Sequence, residues 1–129
     1  MIARPTHKEL AAKLREAQAL LASSGYNPVD PEKLAEDFDS LGLYSGKEQL
    51  QGLAQAFAEA SPAHYRGIRP PPRAFERVVV DEEMFEFKWT SLFFRRKMYL
   101  KFCLPRSNNR IDLFVFSLHE DRPAIKRSR

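Results

Sequence analysis

The chain has 129 residues and a single cysteine, Cys103, so it is long enough for one hydrophobic core, too short for two ordinary domains, and unable to form an internal disulfide. No apolar run approaches the ~20 residues that a membrane-spanning helix needs, and no apolar signal segment follows Met1. We therefore expect a single cytoplasmic domain with no membrane partner.

Charged and aromatic residues are distributed unevenly between the two halves of the chain. Residues 1–64 carry 6 Lys and Arg against 9 Asp and Glu, a net charge of −3, whereas residues 65–129 carry 15 against 8, a net charge of +7. The second half also holds 11 of the 15 aromatic residues. Concentrated cations and flat rings suit a polyanion such as nucleic acid. The alternative is that strands favour aromatic residues and that the cations only keep a sheet face solvated.

Three amphipathic helices are predicted in the acidic half, and together they form a helical layer over residues 7–60. Each helix starts at a capping signal, and these signals are Thr6 with Glu9, Asp30 with Pro31, and Ser45 with Glu48. Apolar residues then recur at helical spacing on one face of each segment, and the first helix is predicted over residues 7–23. Such apolar stripes are buried only when the helices pack on one another or on a sheet.

A proline-rich segment separates the two halves. Residues 61–73 contain three consecutive prolines, at 70–72, whose fixed φ angles and missing amide donors exclude both a helix and a ladder strand. We interpret this segment as a stiff connector between the helical layer and the second half. The alternative is a ligand for SH3-like domains, which bind short proline motifs.

After the connector the apolar pattern changes from helical to alternating, which predicts strands over residues 74–120. Four strands are predicted, over residues 75–80, 84–90, 97–104 and 110–118. The fourth is apolar on both faces and is therefore expected inside the sheet. Residues 121–129 are polar and basic and are expected to form a flexible tail. The sequence thus predicts an α+β fold in which an N-terminal three-helix layer packs on one face of a roughly four-stranded antiparallel sheet.

Strand alternation places a candidate site on the polar face of this sheet. Glu86 shares a face with Lys88, and Tyr99 shares a face with Lys101, so these side chains point outward together if the helices cover the other face. Seven cations are predicted to bind nucleic acid on this face or at the ends of the third strand, namely Lys88, Arg95, Arg96, Lys97, Lys101, Arg106 and Arg110. The alternative is an ordinary solvated face with weak cross-strand pairs.

His119 ends the last strand beside two carboxylates, Glu120 and Asp121. A histidine in this setting is suited to acid–base catalysis, although a strand-end histidine also serves as a simple polar terminator. His7 and His64 are not placed to join it in a metal triad, and the chain has no spacing typical of a zinc site, a phosphate loop or a serine triad. We therefore expect neither a metal nor another cofactor.

The last third of the chain resembles a known family. The segment Met98-Tyr99-Leu100-Lys101-Phe102, the hairpin that follows it, and the segment 113–120 resemble the closing hairpin of MqsR-type mRNA interferase toxins, which have a RelE-like fold. The resemblance implies that Tyr99 takes the place of the family's active-site tyrosine and that His119 stands where the family has a functional lysine. It also implies metal-independent RNA cleavage and a cognate antitoxin protein as a partner.

Three functions are consistent with these patterns. The first is a toxin-like RNA endonuclease in which Tyr99 and His119 transfer protons and the neighbouring cations bind phosphate. The second is a non-catalytic domain that binds RNA, DNA or an acidic protein through the same basic, aromatic surface. The third is a partner-binding protein whose acidic helices make the contact.

Overall fold

A computed structural model of the chain describes residues 3–121, so the predicted tail lies outside the described residues except for Asp121. Within this range the helices are α1 (His7–Ser24), α2 (Pro31–Ser40) and α3 (Gly46–Glu59). The strands are β1 (Asn27–Pro28), β2 (Phe85–Ser91), β3 (Arg96–Cys103), β4 (Arg106–Ser107), β5 (Arg110–Ile111) and β6 (Phe114–Glu120). Short 3-10 helices cover Pro62–His64 and Arg77–Val79. No helix among residues 3–121 is long and apolar enough to cross a membrane.

All three predicted capping residues form their hydrogen bonds. In each case a side-chain oxygen accepts a hydrogen bond from a backbone amide three residues later. The pairs are Thr6 and Glu9 at 3.1 Å, Asp30 and Lys33 at 3.2 Å, and Ser45 and Glu48 at 3.1 Å. The Glu48 carboxylate in turn accepts a hydrogen bond from the Ser45 amide at 3.0 Å, which completes a capping box. These bonds satisfy amides that have no acceptor inside the helix, and they fix the helix starts at the predicted positions.

The larger sheet has the strand order β1-β6-β3-β2. β2 pairs antiparallel with β3, and β3 with β6, whereas β1 pairs parallel with β6 through Asn27 opposite Phe114. The predicted α+β arrangement is therefore confirmed, and the sheet is mixed rather than purely antiparallel. β1 was not predicted because a strand of two residues is too short to show an alternation of apolar and polar side chains. Its Pro28 is tolerated because β1 lies at the edge of the sheet.

Helix α2 covers the part of the β6 edge that lies beyond the short β1. The Leu118 amide donates to the Asp37 carboxylate at 3.1 Å, and the Lys33 ammonium donates to the Ser117 hydroxyl at 2.8 Å. Lys33 also pairs with Asp37 at 3.4 Å. Because an uncovered strand edge can pair with another chain, α2 completes the sheet at this side.

The predicted strand over residues 110–118 is divided in two. Arg110–Ile111 pairs with Arg106–Ser107 in a separate two-stranded ribbon, whose turn residues Asn108 and Asn109 have φ angles of 51° and 63°. Asparagine tolerates this left-handed conformation, and two such residues form a tight hairpin turn. The remainder, Phe114–Glu120, is β6, which lies between β1 and β3 as expected of an interior strand.

The predicted strand over residues 75–80 is wrong. Residues 72–84 instead form a looped segment, called the flap here, in which Arg77–Val79 is a 3-10 helix and Asp81 has a φ angle of 67°. The two ends of the flap are joined by the Met84 amide, which donates to the Pro72 carbonyl at 2.8 Å.

The flap covers one end of the sheet face that lies opposite the helices. Its Ala74 and Val79 side chains are buried with Cys103 and Phe116 in a small second cluster. Ala74 and Val79 lie an odd number of positions apart, so a regular strand would point them to opposite faces. The 3-10 turn lets both side chains face the sheet, which explains why this segment is not a strand.

The main core lies between the helices and the other face of the sheet. Phe57 of α3 packs edge-on against Phe102 of β3, with ring centroids 5.0 Å apart. Met98 and Leu100 on the same strand are also fully buried in this core. Since neighbouring residues of a strand point to opposite faces, the alternate residues of β3 are directed away from the helices.

Candidate functional site

The candidate site lies on the open face, which we define as the sheet face opposite the helices, outside the flap, that carries Glu86, Lys88, Tyr99, Lys101 and His119. Lys88 pairs with Tyr99 across the β2–β3 ladder, and Tyr99 pairs with His119 across the β3–β6 ladder. These three residues therefore form one row across three strands. Glu86 pairs with Lys101 in the next row, so the register places all five side chains on one surface.

Tyr99 is a hydrogen-bond donor at this site. Its hydroxyl donates to a Glu86 carboxylate oxygen at 2.5 Å. Burial raises the pKa of Tyr99 well above its usual value, and the hydrogen bond to Glu86 and the negative charges of Glu86 and Asp121 raise it further. The phenol therefore keeps its proton at neutral pH, and Tyr99 is not a base in this arrangement.

His119 stacks on Tyr99, with ring centroids 4.9 Å apart and an interplanar angle of 24°. Its Nδ1 lies 2.9 Å from the Glu120 carbonyl oxygen. A carbonyl oxygen only accepts hydrogen bonds, so in the neutral ring Nδ1 carries the proton and Nε2 holds the basic lone pair. The stacking and the hydrogen bond together fix the orientation and the tautomer of the imidazole.

Two lysines of the open face each contact an aromatic ring. The Lys88 ammonium lies 6.0 Å from the centroid of the Tyr99 ring and 3.4 Å from an Asp121 carboxylate oxygen. The Lys101 ammonium lies 4.9 Å from the centroid of the Phe116 ring, toward the flap. The Lys88 ammonium is therefore held beside the Tyr99 ring, whereas the Lys101 ammonium is held over Phe116 on the flap side of the open face.

The structure separates the seven predicted cations into three groups. Lys88, Lys97 and Lys101 belong to the open face by strand alternation. The remaining four lie at the two ends of β3, with Arg95 and Arg96 at its start and Arg106 and Arg110 in the ribbon beyond its end. β3 has eight residues, so these ends are about 26 Å apart.

Two of the end cations are also engaged by carboxylates. The Arg96 guanidinium lies 3.8 Å from a Glu120 oxygen, and the Arg110 guanidinium lies 3.0 Å from an Asp112 oxygen. Arg96 has the same strand parity as the buried Met98, so alternation does not direct it to the open face. Of the seven cations, three therefore belong to the open face, and four lie at the ends of β3.

The connector contributes residues that sequence reasoning did not assign to the site. The Arg66 amide donates to the Glu86 carbonyl at 2.8 Å, so the connector runs along the outer edge of β2. This places His64 and Arg66 in a surface depression with Lys88 and Lys97. A non-local pairing of this kind leaves no periodic signal in the sequence.

A second depression contains His119 itself. It is lined by Ser40 and Leu41 at the end of α2, and by Arg96, His119, Glu120 and Asp121. Asp121 lines this depression and the one beside Arg66. A ligand on the open face would therefore have two adjoining concave contacts, with His119 in one and Lys88 and Lys97 in the other.

Cys103 and metal ligands do not add to the chemistry of the site. Burial raises the pKa of the Cys103 thiol to about 12, so the thiolate that would act as nucleophile or ligand is scarce. Among residues 3–121, no three His, Cys, Asp or Glu side chains are grouped so that they could hold a metal ion.

Comparison with known proteins gives no independent assignment. The chain matches no protein-family model, no curated protein and no solved structure. The resemblance of residues 98–120 to MqsR-type toxins therefore stays a prediction, and function must be inferred from the residues and their geometry.

Proposed function

We propose that the chain is a metal-independent RNA endonuclease that works on the open face. The observation that carries the proposal is the stacked pair of Tyr99 and His119, in which the Nδ1 bond to the Glu120 carbonyl leaves Nε2 as the basic nitrogen. The resemblance of this hairpin to RNA-cleaving toxins points to the same two residues. A fixed imidazole beside lysines provides the groups that phosphodiester cleavage by an internal hydroxyl requires.

The proposed reaction uses the ribose 2′-hydroxyl as nucleophile. His119 Nε2 takes the proton from this hydroxyl, the oxygen attacks phosphorus, and the bond to the 5′-oxygen breaks to leave a 2′,3′-cyclic phosphate. Lys88 and Lys101 stabilise the charge that develops on the phosphate oxygens. Tyr99 donates a proton to the leaving 5′-oxygen, because its raised pKa keeps the hydroxyl protonated. The same raised pKa makes the phenolate costly, so this second transfer is the harder one.

A non-catalytic role for the open face is the second candidate, and a specific observation favours it. The Tyr99 hydroxyl is already bound to Glu86 at 2.5 Å, and Lys88 is paired with Asp121 at 3.4 Å. A catalytic complex must break or rearrange both contacts. In this alternative the same surface binds RNA, DNA or an acidic protein without cleaving it.

The endonuclease proposal also specifies a partner and a compartment. An RNA-cleaving toxin needs a cognate antitoxin protein that blocks its active surface until release. Both the RNA substrate and such a partner place the protein in the cytoplasm.

A cleavage assay on the purified chain tests the proposal. An end-labelled oligoribonucleotide incubated with the wild type and a chelator should be cut to products that carry a 2′,3′-cyclic phosphate. His119→Ala should lower the rate about 100- to 10,000-fold, the usual contribution of one general acid or base. His7→Ala, on the helical side in α1, is the matched control and should cut at the wild-type rate.

Three further results decide between the candidates. Expression of the wild type should arrest growth of a host cell, and His119→Ala should relieve that arrest. Wild type that binds the oligonucleotide but leaves it uncut favours the non-catalytic alternative. Wild type that neither binds nor cuts RNA contradicts the proposal altogether.

A further inference from the structure

The turn between β2 and β3 presents apolar side chains to solvent. We call residues 91–97 the β2–β3 tip. Leu92 is 87% exposed and Phe93 is 42% exposed, although both are large apolar residues. Exposed apolar groups that are adjacent in the chain mark interaction sites more often than isolated ones do.

Three backbone amides of this tip have acceptors within the protein. The Leu92 and Phe93 amides donate to the Glu59 carboxylate at 3.0 and 2.9 Å. The Phe94 amide donates to the Ser91 hydroxyl at 2.9 Å. An unsatisfied amide is costly in an apolar phase, so these three donors do not oppose burial of the apolar side chains of the tip.

Cations follow the apolar pair directly. Arg95 and Lys97 are exposed, and neither forms an ion pair with another residue of the described range 3–121. Arg96 lies 3.8 Å from Glu120, so its charge is partly offset. Residues 91–97 contain no Asp or Glu, and the Glu59 carboxylate that lies against them accepts the Leu92 and Phe93 amides. Exposed apolar side chains next to cations are complementary to a surface that has an apolar interior and anionic groups on its outside.

The flap carries a comparable apolar group without this charge pattern. Phe75, Val78 and Val80 are 85%, 60% and 55% exposed. The flap also contains four acidic residues against two arginines. Charge complementarity to an anionic surface therefore distinguishes the β2–β3 tip from the flap.

We propose that the β2–β3 tip docks on an anionic lipid bilayer. Leu92 and Phe93 enter the interface between headgroups and acyl chains, and Arg95 and Lys97 contact the lipid phosphates. Leu92 favours lipid over nucleic acid because an aliphatic side chain offers no ring on which a base can stack. The sequence-based prediction of no membrane partner rests on the lack of a spanning segment, and docking by a tip needs none, so the proposal departs from that prediction.

Vesicle binding by the full chain tests this proposal. Sedimentation with vesicles of phosphatidylcholine and phosphatidylglycerol in equal parts should pull down the wild type, and vesicles of phosphatidylcholine alone should pull down much less. Leu92→Ser leaves every charge unchanged and should weaken partitioning about tenfold or more, since it removes one inserted apolar side chain. Leu50→Ser on α3, where Leu50 is 42% exposed, is the matched control and should bind like the wild type.

A fluorescent label locates the contact. Cys103 is fully buried, so a dye can be attached selectively to Leu92→Cys. An environment-sensitive dye at position 92 should shift to shorter wavelength on the mixed vesicles, and the same dye on Leu50→Cys should not. Equal sedimentation of Leu92→Ser and wild type would overturn the proposal. So would a loss of RNA binding by Leu92→Ser without any loss of vesicle binding, because that result assigns the tip to nucleic acid.

Discussion

The two faces of the larger sheet differ in burial and in polarity. On the covered face, Leu100 and Phe102 are fully buried beneath the helices and have no contact with water. On the open face of the same strand, Tyr99 and Lys101 are only partly buried and make polar or cation–π contacts. A single strand therefore contributes one set of side chains to the core and the alternate set to the candidate site.

This difference means that the two sets should respond differently to substitution. The largest expected effect is at Leu100. Leu100→Ala should lower the free energy of unfolding by about 2–5 kcal/mol, because it removes buried contacts and leaves a cavity. Lys101→Ala, at the next position of β3, should lower it by at most about 1 kcal/mol. Chemical denaturation measures both, and equal losses would contradict the division of the strand into two faces.

An intermediate effect is expected at Glu59, which joins the helical layer to the β2–β3 tip. Its carboxylate accepts hydrogen bonds from four donors, which are the Trp89 indole, the Ser91 hydroxyl and the Leu92 and Phe93 amides. Glu59→Ala should cost about 1–3 kcal/mol because it leaves the donors of the buried residues Trp89 and Ser91 without this acceptor. Thermal unfolding of the variant measures this loss.

The stability that Glu59 provides should depend on pH. Burial opposes ionisation of Glu59, but the hydrogen bonds from Ser91, Trp89, Phe93 and Leu92 outweigh it, and the pKa is lowered. A lowered pKa contributes stability above the ordinary pKa of the group, and that stability is lost as the pH falls through the folded value. The melting temperature of the wild type should therefore fall more steeply in acid than that of Glu59→Ala. Parallel curves would show that the carboxylate does not hold the tip.

The smallest expected effect on stability is at Tyr99. Tyr99→Phe removes the bond to Glu86 at a surface that water reaches, so the loss should be about 1 kcal/mol or less. Burial and Glu86 raise the pKa of Tyr99, so its contribution is present below the ordinary tyrosine pKa and is lost as the pH rises through the folded value. Absorbance titration should show tyrosine ionisation above the usual range, and Tyr99→Phe should lose the part that belongs to Tyr99, while Tyr26 and Tyr65, whose pKa values burial also raises, contribute in both proteins. A variant whose absorbance change at high pH equals that of the wild type would contradict the assignment.

The helical layer was predictable because its signals are local. Thr6, Asp30 and Ser45 each lie within three residues of the amide that they cap, so the sequence contains the whole interaction. Strands β2 and β3 were predictable for a similar reason, since alternation is visible inside each strand.

The flap and β1 were not predictable because their partners are distant in the chain. Val79 is buried against a cluster that includes Cys103 and Phe116, and no pattern within residues 75–80 reveals that contact. Asn27, which follows the first helix, pairs with Phe114 at the start of the last strand. Such pairings depend on how the complete sheet assembles, so the strand propensity and the apolar periodicity of a short segment do not specify them.

The candidate site was predictable only in part for the same reason. Alternation within β3 is enough to place Tyr99 and Lys101 on one face of that strand. The stacking of His119 on Tyr99 depends instead on the β3–β6 register, which shifts at an irregularity between Lys101 and Phe102. A bulge of this kind cannot be located from the sequence, so the contact between the two rings is a property of the assembled sheet.

The measurement that tests the central claim most directly is amide chemical-shift mapping with an oligoribonucleotide whose 2′-hydroxyls are methylated. This ligand keeps the phosphates and bases of RNA but lacks the nucleophile, so it should bind without being cut. We predict that the shifts concentrate at Lys88, Tyr99, Lys101 and His119 and leave α1 and α3 unchanged. Shifts confined to those two helices, or no shifts at concentrations where wild type cuts unmodified RNA, would contradict the assignment of the open face as the functional surface.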